Sequence, residues 1–428
     1  MVRGWVLGAM AGAVLYGQAA SAAPADDKLI SAIVARPAVK VAFDALEKEH
    51  PQWIETIVTL TQIPAPPFKE VERAKAYAAM FREAGLADVE MDEAGNVLGL
   101  LRGTRKPGGK LIVVAAHLDT VFPEGTDVTV KREGDKLFAP GIGDDVAGLA
   151  TQLSLIKAMT AASVRAPMDI LFVGNVGEEG LGDLRGTKYL FQKGKYKDRI
   201  AAFFSIDDGS TDGVTNGGVG SKRYRLTFTG PGGHSFGAFG LVNPLTALSQ
   251  AVVNIYKIAV PVSPKTTYSA SVVGGGSSVN AIPGEAWLQL DMRSESAAEL
   301  DKLERTALAQ VDAAVALENA SRSTRSGAVA VRKELIGDRP AGMTSAEQPL
   351  VRQTVAAFAS QGVTARMSFS STDANVPMNL GIPAITIPRA ATGGRGHSLG
   401  EWIDIGAGES LRVKRMDLIA ILAAAQLR

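Results

Sequence analysis

The sequence predicts an α/β protein with a central, mostly parallel sheet flanked by helices and a smaller α+β unit inserted into it. Three observations carry this. Short, continuous apolar runs alternate with helical stretches in the first half of the chain. After Gly217-Gly218 the texture changes to period-two alternation. Beyond residue 337 the first texture returns. Continuous apolar strands between helices belong to a sheet covered on both faces, whereas alternation belongs to a sheet with one open face.

Residues 26–85 read as helical, with 69–85 carrying apolar residues at helical spacing before a glycine stop. Strands follow at 97–101, 111–116, 170–173 and 202–206, with helices at 146–159 and 185–192 between them. Past the change of texture, Tyr224, Leu226 and Phe228 alternate with Arg225, Thr227 and Thr229. A helix at 244–258, strands at 267–273 and 286–292, a helix at 297–318 and a strand at 328–335 complete a βαββαβ order. That order is ferredoxin-like. A helix at 349–360, a strand at 384–387 and a helix at 410–427 close the chain. The expected units are residues 1–22, 23–217, 218–337 and 338–428: a leader, a split main domain, and the insert between its halves.

The leader reading rests on Arg3, an apolar stretch from Trp5 to Tyr16, and the small residues Ala20-Ser21-Ala22. This is the order of a secretory signal, cut after Ala22, and it implies a secreted or periplasmic protein. The apolar run is shorter than the ~20 residues of a membrane span, so no stable span is expected. Without the leader, basic and acidic residues balance at 44 each. That balance argues against a nucleic-acid partner, which requires a basic face. The chain has no cysteine and four histidines. A transition-metal site must therefore draw on His, Asp and Glu.

The acids and histidines concentrate where predicted strands end. His117-Leu118-Asp119 follows one strand, Gly177-Glu178-Glu179-Gly180 another, and Asp207-Asp208 a third. The loop Gly141-Ile142-Gly143-Asp144-Asp145 opens a helix, and Gly396-His397-Ser398 follows the last strand. Taken singly these are weak. An Asp-Asp loop can be a helix N-cap, and a Glu-Glu pair can be a solvated face. Together they lie outside the carboxyl ends of the strands, where open α/β sheets bind ligands. His117, Asp144, Glu179, Asp207 and His397 offer two imidazoles and three carboxylates, a set suited to two zinc ions sharing one carboxylate. Asp208 is the alternative to Asp207. His50 matches no motif and is expected at the surface.

These motifs, with Gly230-Pro231-Gly232-Gly233-His234-Ser235, Asn280-Ala281-Ile282-Pro283 and Asp291-Met292-Arg293, resemble the metallopeptidase family of carboxypeptidase G, peptidase T, aminoacylase and succinyl-diaminopimelate desuccinylase. The resemblance implies a zinc-peptidase-like catalytic domain with an inserted lid or dimerisation domain. It makes His117 and Asp207 ligands of one metal, Glu179 and His397 ligands of the other, and Asp144 the bridge. Asp119 would fix the tautomer of His117, and Glu178 would be the general base. His234 would steady the oxyanion, often from a partner subunit, and Asn280 and Arg293 would contact substrate. The implied cofactors are two divalent ions, zinc first, with cobalt and manganese compatible. The implied substrates are small peptides, with N-acyl amino acids as the alternative, and the implied assembly is a homodimer. A catalytically silent metal-dependent binding protein would lack Glu178 or a ligand; all are present.

Overall fold

The computed structural model describes residues 24–428. The leader, residues 1–22, lies outside the described residues. At the centre, Leu111–His117 pairs in parallel with Asp169–Asn175 on one side and Ile200–Asp208 on the other, and Ala384–Pro388 continues the sheet in parallel. Antiparallel strands Ala87–Met91 and Val97–Leu101 extend one edge, and Gly213–Gly218 continues the other. The full sheet has nine strands.

Strand geometry sends alternate side chains to opposite faces, and both faces are covered. Ile112, Val114 and Ala116 pack into a large core shared with helices His50–Thr61, Val146–Ala161 and Ala407–Ala424. Leu111, Val113 and Ala115 pack against Leu190, Phe191, Val376 and Met378. This explains why these strands read as unbroken apolar runs. Helix Val146–Ala161 is buried along most of its length, which matches its lack of a polar face.

The helical start of the chain resolves into four helices, Pro24–Ala35, Pro37–Lys48, His50–Thr61 and Val71–Glu83. Arg36 is extended (ψ 131°) ahead of Pro37, and Pro51 sits in the first turn of the third helix. Proline suits a first helical turn and breaks a helix interior. His50 is not a surface residue. It stacks on Trp53 at 5.2 Å, and its Nε2 lies 3.0 Å from the carbonyl of Ile405. Only the tertiary packing of the last helix layer supplies that partner.

The inserted unit is a four-stranded antiparallel sheet in the order Thr266–Gly275, Glu285–Ser294, Gly220–Thr229, Ala330–Arg339. Helices Pro244–Ile255 and Ala297–Ser321 cover one face through Leu226, Phe228, Leu288 and Leu290. On the open face Arg225 lies 3.9 Å over the Trp287 ring. The last strand runs to Arg339, which pairs with Ser221. Among the described residues no helix is long and apolar enough to cross a membrane.

Lys414, on helix Ala407–Ala424, is fully buried, with Nζ 4.1 Å over the Trp53 ring. Burial pulls its pKa down to about 7, with Glu49 opposing. Its unfolded value is ~10.4, so the unfolded chain binds more protons between the two values and stability rises with pH across that window. We expect Lys414→Met to be more stable than wild type near pH 6 and to lose the rise between pH ~7 and ~10. Melting temperatures of both proteins across that range check this; parallel curves would refute it.

Candidate metal centre

The parallel strands all point their carboxyl ends at one cavity of about 390 Å³. His117 is the last residue of its strand, and Asp207 ends the apolar part of the neighbouring one. Glu178 and Glu179 follow strand Asp169–Asn175 after a single turn at Gly177. Asp144 precedes the buried helix Val146–Ala161. His397 comes from a late loop and is held at φ 60°, a left-handed conformation that non-glycine residues adopt mainly where function or packing requires it.

Asp144 is the centre of the cluster. Its Oδ1 lies 3.0 Å from His117 Nε2 and its Oδ2 lies 3.0 Å from His397 Nε2. His397 Nε2 is also 2.9 Å from Glu179 Oε1, and His117 Nε2 is 3.9 Å from Asp207 Oδ1. One carboxylate thus stands between two His–carboxylate pairs. Asp207, not Asp208, faces the imidazole; Asp208 Oδ1 accepts from the amide of Ser210 at 2.7 Å.

The supports are specific. His117 Nδ1 lies 3.0 Å from the carbonyl oxygen of Asp119. A carbonyl only accepts, so Nδ1 carries a proton, and Nε2 is the nitrogen turned to the cluster, where it donates to Asp144 while the ring is protonated and would offer its lone pair to a metal ion. The Asp119 carboxylate lies further from Nδ1, at 3.7 Å. It accepts from the amides of Glu178 at 3.0 Å and Glu179 at 2.8 Å. Glu401 performs the same task for the Asp144 loop, accepting from the amides of Gly141, Gly143 and Asp144 at 2.8–3.0 Å. Two glycines are required there. Gly141 has φ +74°, and a Cβ on Gly148 would meet Asp145 Oδ1 and the Ile206 carbonyl at 2.2 Å.

Electrostatics follow from crowding. Burial drives Asp207 well above the usual carboxylate range, and the negative charges of Asp144 and Asp145 add to the rise. Burial opposes ionisation of Asp144 too, but hydrogen bonds from His117 and His397 outweigh it and hold Asp144 well below that range. The bonds to Asp144 and Glu179 push His397 up to about 10. Burial drives Glu178 upward, and Arg339, 2.9 Å from its Oε1, opposes this without reversing it. A carboxylate tuned upward suits general-base work near neutral pH.

Arg293 lines the cavity with Arg223, and Asp291 accepts from the Nε of both at 2.8 and 3.1 Å. Among the described residues the Nη groups of Arg293 make no hydrogen bond. His234 and Asn280 do not line this cavity in the single chain. Both lie at an exposed ladder where Gly233–His234 pairs with Ala281–Ile282. Sequence reading missed Arg339, Arg389 and Glu401 as site residues. Arg389 is mostly buried, its side chain 12% exposed, and lies 3.7 Å from Asp144 and 3.8 Å from Asp207. Its signal was an arginine directly after strand Ala384–Pro388, at the same sheet edge as the acids.

The donors fit metal ions. Two tetrahedral ligands of one zinc, each ~2.0–2.2 Å from it, are about 3.3–3.6 Å apart. The four N···O separations among Asp144, His117, Asp207, Glu179 and His397 bracket that value at 2.9–3.9 Å. His117, Asp144 and Glu179 form one close group of donors, and His117, Asp145 and Asp207 a second.

An α/β sheet with an inserted α+β unit and clustered His and carboxylate donors at its strand ends has the arrangement of a metal-binding chain. The chain belongs to peptidase family M20/M25/M40, whose sequence profile matches residues 113–416. Carboxypeptidase G2 of Pseudomonas sp. (strain RS-16) is 26% identical over 277 residues, which are 62% of this chain and 65% of that protein. Succinyl-diaminopimelate desuccinylase of Methylobacillus flagellatus is 24% identical over 48% of this chain and 58% of its own length. The chain thus spans less than two thirds of these curated relatives. Among solved structures, the aminopeptidase PepT of Bacillus cereus superposes with TM-score 0.70 at 19% identity, covering 88% of this chain and 99% of its own. The YXEP protein of Bacillus subtilis, a dinuclear metal binding peptidase, superposes with TM-score 0.62 at 15% identity, covering 88% of this chain and 98% of its own. These structures share the fold.

Glu401→Gln keeps the volume but replaces one of the accepting oxygens with a donor facing amide N–H groups. We expect metal affinity to fall about 10- to 100-fold, the usual cost of losing such a support. Calorimetric titration of the metal-stripped protein measures it, and unchanged affinity would show that the loop holds itself.

Proposed function

We propose that the chain is a metal-dependent hydrolase of amide bonds in small peptides, with zinc as its ion and Glu178 as its general base. The observation that carries the reading is Asp144, whose two oxygens face two separate imidazoles, beside a buried glutamate that is free of both donor groups. When bound, a pair of metal ions supplies Lewis acidity to the scissile carbonyl and acidifies the attacking water. Glu178 takes that water's proton and returns it to the leaving amine. Arg293 holds a carboxylate of the substrate through its Nη groups. The same site accepts N-acyl amino acids in the alternative reading, which the similarity to desuccinylases favours.

The proposal extends to assembly and location. His234 lies outside the cavity, and Phe236, Val279 and Val273 beside the exposed edge of the insert are 64–104% exposed. A homodimer would cover these groups and could bring His234 to the partner's cavity, where it would stabilise the oxyanion. Export would follow cleavage after Ala22.

Zinc content and hydrolysis of a panel of di- and tripeptides and N-acyl amino acids, before and after chelation, test the reading. We expect about two equivalents of metal per chain and activity abolished by chelation and restored by zinc. Glu178→Gln should keep both metals and lose about three orders of magnitude in kcat. Wild-type rates in that variant would remove Glu178 from the mechanism, and a metal-loaded protein that cleaves nothing in the panel would favour a silent binding protein.

A further inference from the structure

Arg339 is the last residue of strand Ala330–Arg339, where the chain leaves the inserted unit. It is 4% exposed. Its Nη1 donates to Glu178 Oε1 at 2.9 Å and to Ser371 Oγ at 3.2 Å, and its Nη2 donates to the carbonyl of Glu178. One guanidinium therefore grips both the carboxylate and the peptide group of the same residue. A charge-neutralising partner needs only the first contact. The second fixes the direction in which the Glu178 side chain leaves the backbone.

The contact is part of a seam. The amide of Asp338 donates to Asp183 Oδ1 at 2.8 Å, Lys188 Nζ donates to the Asp338 carbonyl at 2.9 Å, and Arg223 Nη1 donates to the Gly180 carbonyl at 2.7 Å. The segment from Glu178 to Lys188 is thus held from the inserted unit at four residues. Within it Asp183 and Leu184 have φ 55° and 57°, left-handed values that neighbouring structure must enforce. Arg339 is also poorly placed to grip substrate. Its side chain is 5% exposed, against 40% for Arg293 on the same cavity.

We infer that Arg339 is a positioning residue for Glu178, and that through it the inserted unit sets the placement of the base. The inference rests on the reading of Glu178 as the base. In Arg339→Met, kcat should fall about 100-fold, the scale of a 1 Å misplacement, with KM within threefold and metal content unchanged. Arg339→Lys can reach one of the two Glu178 oxygens and should recover about tenfold of that loss. Amide hydrogen exchange across residues 177–187 should accelerate in Arg339→Met and less in Arg339→Lys. A kcat within twofold of wild type, a loss confined to KM, or unchanged exchange would overturn the inference. If Arg339→Met does not fold, Arg339→Lys decides by the same readouts. A wild-type protein inactive on the whole panel would overturn the proposed function instead, and the exchange measurement would still decide whether Arg339 holds the segment.

Discussion

The Asp144 carboxylate, held between two imidazoles, is the contact on which the rest of the centre depends. His117 and His397 come from opposite ends of the catalytic domain's sequence, and Asp144 is where they meet. Around it lie Asp145, Glu178, Glu179 and Asp207 in a largely water-excluded space. Packing carboxylates so closely opposes ionisation unless cationic or hydrogen-bonded partners compensate. The two imidazoles, Arg389 and Arg339 provide part of that compensation. The remainder is the chemical argument for divalent cations.

The fold makes this crowding possible. Parallel strands Leu111–His117, Asp169–Asn175, Ile200–Asp208 and Ala384–Pro388 end on one edge. Their apolar bodies are locked between two helical layers. A rigid sheet fixes the strand ends, so the carboxylates cannot relax apart. Backbone amides then orient them: Asp119 collects those of Glu178 and Glu179, and Glu401 those of the Asp144 loop. The inserted unit adds the opposite wall, with Arg223 and Arg293 facing the cavity and Arg339 engaged by Glu178. Acids on the sheet side and arginines on the insert side are the charge arrangement on which the proposed binding of an anionic substrate end rests.

Much of this was legible in the residues. The helix Val146–Ala161 and the strand at its side could be read because buried elements carry unbroken apolar runs. The insert could be read because Tyr224, Leu226 and Phe228 alternate with polar residues on a sheet with one open face. The candidate ligands could be named because acids at buried strand ends are costly unless something compensates them. His50 was misplaced for a physical reason: its partner is the carbonyl of Ile405, 355 residues away. Backbone partners at that distance leave no pattern in a sequence. Asp119 was read from its place two residues after His117; which of its oxygens makes the shorter contact, the carbonyl at 3.0 Å or the carboxylate at 3.7 Å, is a matter of local backbone geometry.

The sequence by itself determined the buried central strands and their helices, the βαββαβ insert and the five candidate ligands, because hydrophobic periodicity and the scarcity of histidine are properties of the chain alone; the edge strands Ala87–Met91 and Gly213–Gly218 carry too little apolar pattern to be read. Only the tertiary structure decided that Asp207 rather than Asp208 faces His117, that Arg389 lies against the acids, and that Arg339 reaches from the insert to Glu178. These are directions of side chains across contacts between distant segments. They are set by how strands end and how domains dock, and one-dimensional spacing carries no record of them.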